Sequence, residues 1–244
     1  MRRYSTMLAF LMLLFVGAAW GALASAADDN GSAAAKGQCV KDANASPRLI
    51  DNGDGTISDR ATCLMWEKKD DAGGIHDKDN LYTNSTCKDD WPQCSLNGTA
   101  VTDFLAKLNT KPCFAGYCDW RLPESGQRPD WPADYGPSGK PAELETIVAA
   151  PYPGFLTIPS KCTSSPCVDP VFNNNCGVQS SGNKGCTVDG KGGKACSCTL
   201  PGPYASGTTW RSHPWHVPVV DFQGGWVSGS SKQFHHSVRA VRSM

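Results

Sequence analysis

The sequence has no excess of charge of either sign. Lys and Arg number 23, Asp and Glu also 23, and the formal net charge is zero. Such a chain has no overall pull towards nucleic acid or anionic membranes, so a polyanion could be held only by a local patch. A C-x-x-C pair is absent, which removes the usual signature of a thiol oxidoreductase. No H-E-x-x-H occurs, so no helix presents two imidazoles to zinc on one face. The calcium-loop pattern D-x-[DN]-x-[DN]-G is missing as well, and no internal repeat is visible. No cofactor and no bound metal is therefore expected.

What is present begins with an export signal. Arg2 and Arg3 precede an apolar run from Leu8 to Leu23, and Ala24-Ser-Ala26 supplies a cleavage site. Residues 1–26 read as a secretory signal, 27–47 as a polar linker, and 48–244 as one domain. The run is short for a membrane span, and no Cys follows it closely enough for a lipid anchor. The protein is thus expected to be secreted, periplasmic or at the cell surface, and not membrane-spanning once cleaved. All 12 Cys follow the signal, and an even count in an exported chain reads as disulfides. The spacings of Cys113/Cys118 and Cys162/Cys167 would also suit zinc, but an oxidising compartment favours S–S bonds. Closeness in sequence makes these two pairs, with Cys87/Cys94, the expected local disulfides. The domain is long enough to bury a full core, so its disulfides should pin loops rather than replace a core.

The expected fold class is α+β. Asn52-Gly-Asp-Gly55, between Leu49-Ile50 and Thr56-Ile57, reads as a hairpin turn in preference to a calcium loop. Leu64-Met-Trp66 reads as a buried strand, and Val217–Phe222, Gly225–Val227 and Val238–Val241 as closing strands. Two helices are expected. Thr99–Asn109 places Val101, Phe104, Leu105 and Leu108 on one face, with Asn97 or Thr99 as cap. Pro141–Ala149 starts with a proline at the first helical position and carries Leu144, Ile147 and Val148. Ser125–Lys140 and Lys161–Pro203 read as long surface inserts, the second laced with cysteines.

Four segments, in this order, resemble the DUF1566 family, also called the Lcl C-terminal domain after a collagen-like bacterial adhesin. They are Arg48–Arg60 running on to Cys63-Leu-Met-Trp-Glu67, Asp119-Trp-Arg-Leu-Pro-Glu124, Val220-Asp-Phe-Gln-Gly-Gly225 and Ser237-Val-Arg-Ala-Val-Arg242. The resemblance implies a C-type-lectin-like fold related to the formylglycine-generating enzymes. The chain departs from the family at Ala205, where a Trp is usual, and at the Ser125–Lys140 insert. The adhesin relative implies glycans or glycosaminoglycans as ligands. Nothing matches the reactive cysteine pair of the formylglycine-generating enzymes, and the calcium-lectin triplet Trp-Asn-Asp is absent.

Each candidate residue has a plain alternative. Trp66 and Trp120 fall in motif segments and read as core. Arg121, between Trp120 and Leu122, needs a carboxylate or carbonyl if half buried; Asp119, Glu124 and Asp221 are the candidate partners. Arg121, Trp120, Trp66 and Asp221 are accordingly expected to be structural. The loop residues Trp131, Trp210, Trp215 and His216 are the candidate ligand contacts, because aromatic faces stack on sugars; they could equally cover small local cores. His213-Pro-Trp-His216 and His235-His236 could ligate metal, but no carboxylate motif accompanies them. Arg211, Lys232, Arg239 and Arg242 could form a basic cluster for sulfate, unless Arg239 and Arg242 point inward from their strand. The expected function is exported, non-enzymatic recognition of a glycan or other surface polymer, with no nucleic-acid partner. The alternatives are an enzyme of unrecognised class on the same scaffold and a structural part of a surface assembly.

Overall fold

Gly53 and Gly55, at φ of +75° and +95°, turn the chain between β1 (Leu49–Asp51) and β2 (Thr56–Asp59). These left-handed angles are easy for glycine and strained for other residues. The acidic side chains serve the turn itself. Asp51 Oδ1 accepts from Gly53 N at 3.0 Å, and Asp54 Oδ1 accepts from the Thr56 amide and hydroxyl at 3.0 and 2.6 Å. In this computed structural model the described residues are 39–87, 94–126, 142–149, 162–176, 185–191, 194–210 and 213–244. All lie in the unit Gln38–Met244. The signal and most of the linker, Trp131, Arg211 and nearly all of the Ser125–Lys140 insert lie outside them.

β3 (Leu64–Glu67) pairs antiparallel with β2 and with the closing strand β7 (Val241–Ser243), giving a sheet of order β1-β2-β3-β7. A second antiparallel sheet joins β4 (Pro203–Ala205), β5 (His216–Asp221) and β6 (Trp226–Ser231). Successive residues of a strand point to opposite faces, and the two core clusters divide accordingly. Met65 packs with Phe104, Leu108, Trp120, Val217 and Val219, while Leu64 and Trp66 pack with Ile57, Phe172, Tyr204 and Phe222. Trp66 is wholly buried and Trp120 nearly so.

Among the described residues one helix of seven or more residues is present, not two. A π-helical turn over Ala100–Leu105 runs into α1 (Ala106–Asn109); of the expected apolar face Phe104 and Leu108 are buried and Val101 and Leu105 half-buried, and Ala100 is buried beside them. Thr99 does not cap it; its hydroxyl accepts instead from Thr83 N at 2.9 Å. The expected second helix is a single 3₁₀ turn, Glu143–Ile147. Leu144 and Ile147 are three apart, and that spacing aligns side chains in a 3₁₀ turn as well as in an α-helix. Neighbouring segments also take its backbone groups. Leu144 N donates to Glu124 O, Ile147 O accepts from Asp169 N, and Val148 is already extended. The α+β class stands; the two-helix arrangement does not.

The 12 Cys form six disulfides. Cys87–Cys94, Cys113–Cys118 and Cys162–Cys167 are the local ones, and Cys39–Cys63, Cys176–Cys198 and Cys186–Cys196 complete the set. Among the described residues no helix is long and apolar enough to cross a membrane.

The core also encloses charge. Arg239 is fully buried and donates to the carbonyls of Glu67 and Cys198 and to the Thr199 hydroxyl, at 2.8 to 2.9 Å. Glu67, also fully buried, sits 3.0 Å from Lys69 Nζ and 2.8 Å from His76 Nδ1, and accepts from Ala240 N at 2.9 Å. Burial alone would raise the Glu67 carboxyl; Lys69, His76 and the amide pull it below its usual range. Buried charges persist only with such partners.

Candidate functional site

The loop before β5 is folded into tight turns by its own backbone. Trp210 N donates to His216 O at 3.0 Å, His213 N to Trp210 O at 3.2 Å, and His216 N to His213 O at 2.8 Å. Four rings converge as a result. His213 and His216 lie nearly parallel at 5.8 Å, Trp215 stands 5.1 Å from His213 and 5.5 Å from His216, and Trp210 6.0 Å from His213. His213 is exposed and the other three are half-buried. The Trp210 indole lies over Gly229 of β6, where a Cβ would come within 1.8 Å of the ring. Burial, helped by His213 beside it, lowers the His216 imidazole below its ordinary range.

Among the described residues the expected basic cluster does not form. Lys232 is wholly buried, where its ammonium donates to Cys94 O and, at 2.8 Å, to the Thr209 hydroxyl. It ties the Cys87–Cys94 loop to the second sheet and offers nothing to a ligand. Arg239 is in the core. Arg242 forms a two-pronged ion pair with Asp119, at 2.7 and 3.1 Å, and lies 4.0 Å over the Tyr117 ring. Arg121 pairs with none of its expected partners. Glu143 takes both guanidinium prongs at 2.6 Å and also accepts from Glu124 N at 2.8 Å. Asp221 instead shapes the β5–β6 turn, accepting from Gln223 N at 2.8 Å and, through its carbonyl, from Gly225 N at 2.7 Å.

A cavity of about 540 Å³ was not signalled by the sequence. It lies between the β1–β2 turn, the Phe114–Gly116 turn and the Thr187–Lys191 loop, and its walls include Asp54, Asp70, His76, Phe114, Asp189 and Lys191. Its members are far apart in the chain and fit no motif. Asp71, Asp77 and Asp79 also cluster, but Lys78 bonds Asp71 and Asp79 at 3.0 and 2.6 Å, and Asp77 accepts from Gly73 N and Asp79 N. The Cys186, Cys196 and Cys198 sulfurs also approach one another, yet all are in disulfides.

No protein-family model, no curated protein and no solved structure matches the chain.

Proposed function

We propose that this chain is an exported recognition domain, of the kind suggested by its DUF1566-like segments, whose ligand is a saccharide stacked on the Trp210–His213–Trp215–His216 face. The observation that carries the proposal is the convergence of four partly exposed rings within 5.1 to 6.3 Å on one short, backbone-locked loop. Rigid aromatic faces bind the apolar side of a sugar ring at little conformational cost. A neutral saccharide fits better than a sulfated one, because Lys232, Arg239 and Arg242 are all buried and engaged. The remaining named contacts, Trp131 and Arg211, lie outside the described residues.

A glycan array probed with the purified protein, with and without calcium, tests this. Binding to a neutral saccharide should be lost in Trp215→Ala with little change in the unfolding midpoint, and lost in Trp210→Ala together with a lower midpoint, because that ring packs on Gly229. A protein that binds no saccharide, or variants that bind as well as the parent, would overturn the proposal.

A further inference from the structure

We infer that the cavity beneath the β1–β2 turn is a second binding site, separate from the aromatic face, for a small organic molecule carrying a primary ammonium group. Its volume of about 540 Å³ falls within the range of pockets that enclose small ligands. Its wall carries three carboxylates, Asp54, Asp70 and Asp189, against one ammonium, Lys191. Lys191 reaches Asp189 at 3.2 Å but its side chain is 87% exposed, so it neutralises only one rim position and is easily displaced.

The carboxylates leave acceptors for a ligand. Both bonds from Thr56 fall on Asp54 Oδ1, which leaves Oδ2 for a ligand. Asp70 is buried, and its two oxygens accept only long bonds, from Ala72 N at 3.3 Å and Val188 N at 3.4 Å. Burial raises its carboxyl above the ordinary range, against the opposing pull of His76 and the two amides. His76 also lines the wall. Glu67 is buried beside Lys69 and held ionised, so the proton shared along the 2.8 Å contact belongs to His76 Nδ1. Phe114 adds an apolar face. Its ring is 4.3 Å from His76 and 5.1 Å from Trp120, whose indole N–H donates to Phe114 O at 3.0 Å. A carboxylate-lined wall beside an aromatic face suits an ammonium group on a short carbon frame, through charge-assisted hydrogen bonds and cation–π attraction. An anionic ligand would meet three like charges.

Calorimetric titration of the full chain at neutral pH and low salt tests the inference. Cadaverine and glucosamine are the charged probes; 1,5-pentanediol and glucose are their uncharged counterparts. At least one amine should bind while its counterpart does not. Binding of cadaverine alone assigns a linear amine, and of glucosamine alone an amino sugar. Asp54→Asn keeps the turn acceptor yet removes charge, and should weaken the amine about tenfold. Lys191→Ala, on an exposed side chain, should tighten it several-fold by removing the competing cation. Trp215→Ala should leave it unchanged, which separates this site from the saccharide face. The inference is wrong if neither amine binds at millimolar concentration, if an uncharged counterpart binds equally, if Asp54→Asn has no effect, if Lys191→Ala weakens binding, or if Trp215→Ala abolishes it.

Discussion

Gly229→Ala is the sharpest probe of how the aromatic face is held. Gly229 lies in β6 opposite Pro218 of β5, and its φ is not in the left-handed region. The strand backbone therefore accepts alanine, and would gain slightly from it. The difficulty is Trp210. A methyl at position 229 would lie 1.8, 2.4 and 2.8 Å from Cζ3, Cε3 and Cη2 of the indole. Carbon atoms settle at about 3.5 Å or more, so the ring must leave its seat. One face of a Trp covers roughly 60 Å² of apolar surface, which at about 25 cal/mol per Å² is about 1.5 kcal/mol. The strand's preference for Ala over Gly returns about 0.5 kcal/mol, leaving a net loss of about 1 kcal/mol. For a domain of this size that lowers the thermal midpoint by about 2–4 °C.

The readouts are Trp fluorescence, near-UV circular dichroism, the midpoint and binding to whichever saccharide the array identifies. Emission should shift towards that of exposed indole. Saccharide binding should fall as far as in Trp210→Ala, although residue 229 itself presents only a methyl group. An alanine variant with unchanged emission, midpoint and binding would refute the reasoning, since it would mean that Trp210 does not rest on Gly229.

Three further outcomes follow from the same geometry. Arg121→Ala should cost only about 1–2 kcal/mol, because the Arg121–Glu143 pair is partly solvated, with side chains 39% and 20% exposed. Arg239→Met should cost about 3–5 kcal/mol by leaving the buried carbonyls of Glu67 and Cys198 and the Thr199 hydroxyl without their donor; urea unfolding ranks the two, and the reverse order would refute the burial argument. Burial, reinforced by His235, lowers the His236 imidazole from 6.5 to about 4. The unfolded chain then takes up the proton first, so this contribution is intact above pH 6.5 and lost as pH falls towards 4, a change of roughly 3 kcal/mol. Midpoints measured across that window should fall with acidity, and less so in His236→Gln; parallel curves would discount His236. Non-reducing peptide mapping should link Cys113 to Cys118 and Cys162 to Cys167, and either pair found free or joined elsewhere would count against the loop architecture.

What could be read from the sequence was local. Gly53 and Gly55 mark their turn because few other residues take those angles, and the spacing of Phe104 and Leu108 marks a helix face. Trp210, Trp215 and His216 could be singled out as aromatic loop residues, but their convergence with His213 comes from backbone bonds within the fold. The Pro141–Ala149 helix was misread because a few apolar residues three apart do not distinguish a 3₁₀ turn from an α-helix, and the deciding bonds come from Glu124 and Asp169. Arg121 finds Glu143 across 22 residues, a pairing that only the fold selects. Lys232 looked like a surface cation because Lys is rarely buried; its partners, Cys94 O and the Thr209 hydroxyl, are distant in the chain.

The cavity was invisible for the same reason, and its construction shows what the disulfides accomplish. Phe114 and Ala115 sit inside the Cys113–Cys118 loop, where Ala115 holds a positive φ of 49°. Thr187 to Lys191 sit inside the Cys186–Cys196 loop, and Val188 N reaches back to Asp70. The third wall is the glycine turn, with Gly55 close to both Phe114 and Val188: a Cβ there would stand 3.1 and 3.0 Å from them. Two disulfide-closed loops and one glycine turn therefore meet around His76, whose Glu67 partner belongs to β3. The apolar clusters already supply a core, so cross-linking these loops limits the states open to the unfolded chain and holds a polar cavity whose carboxylates would otherwise tend to separate.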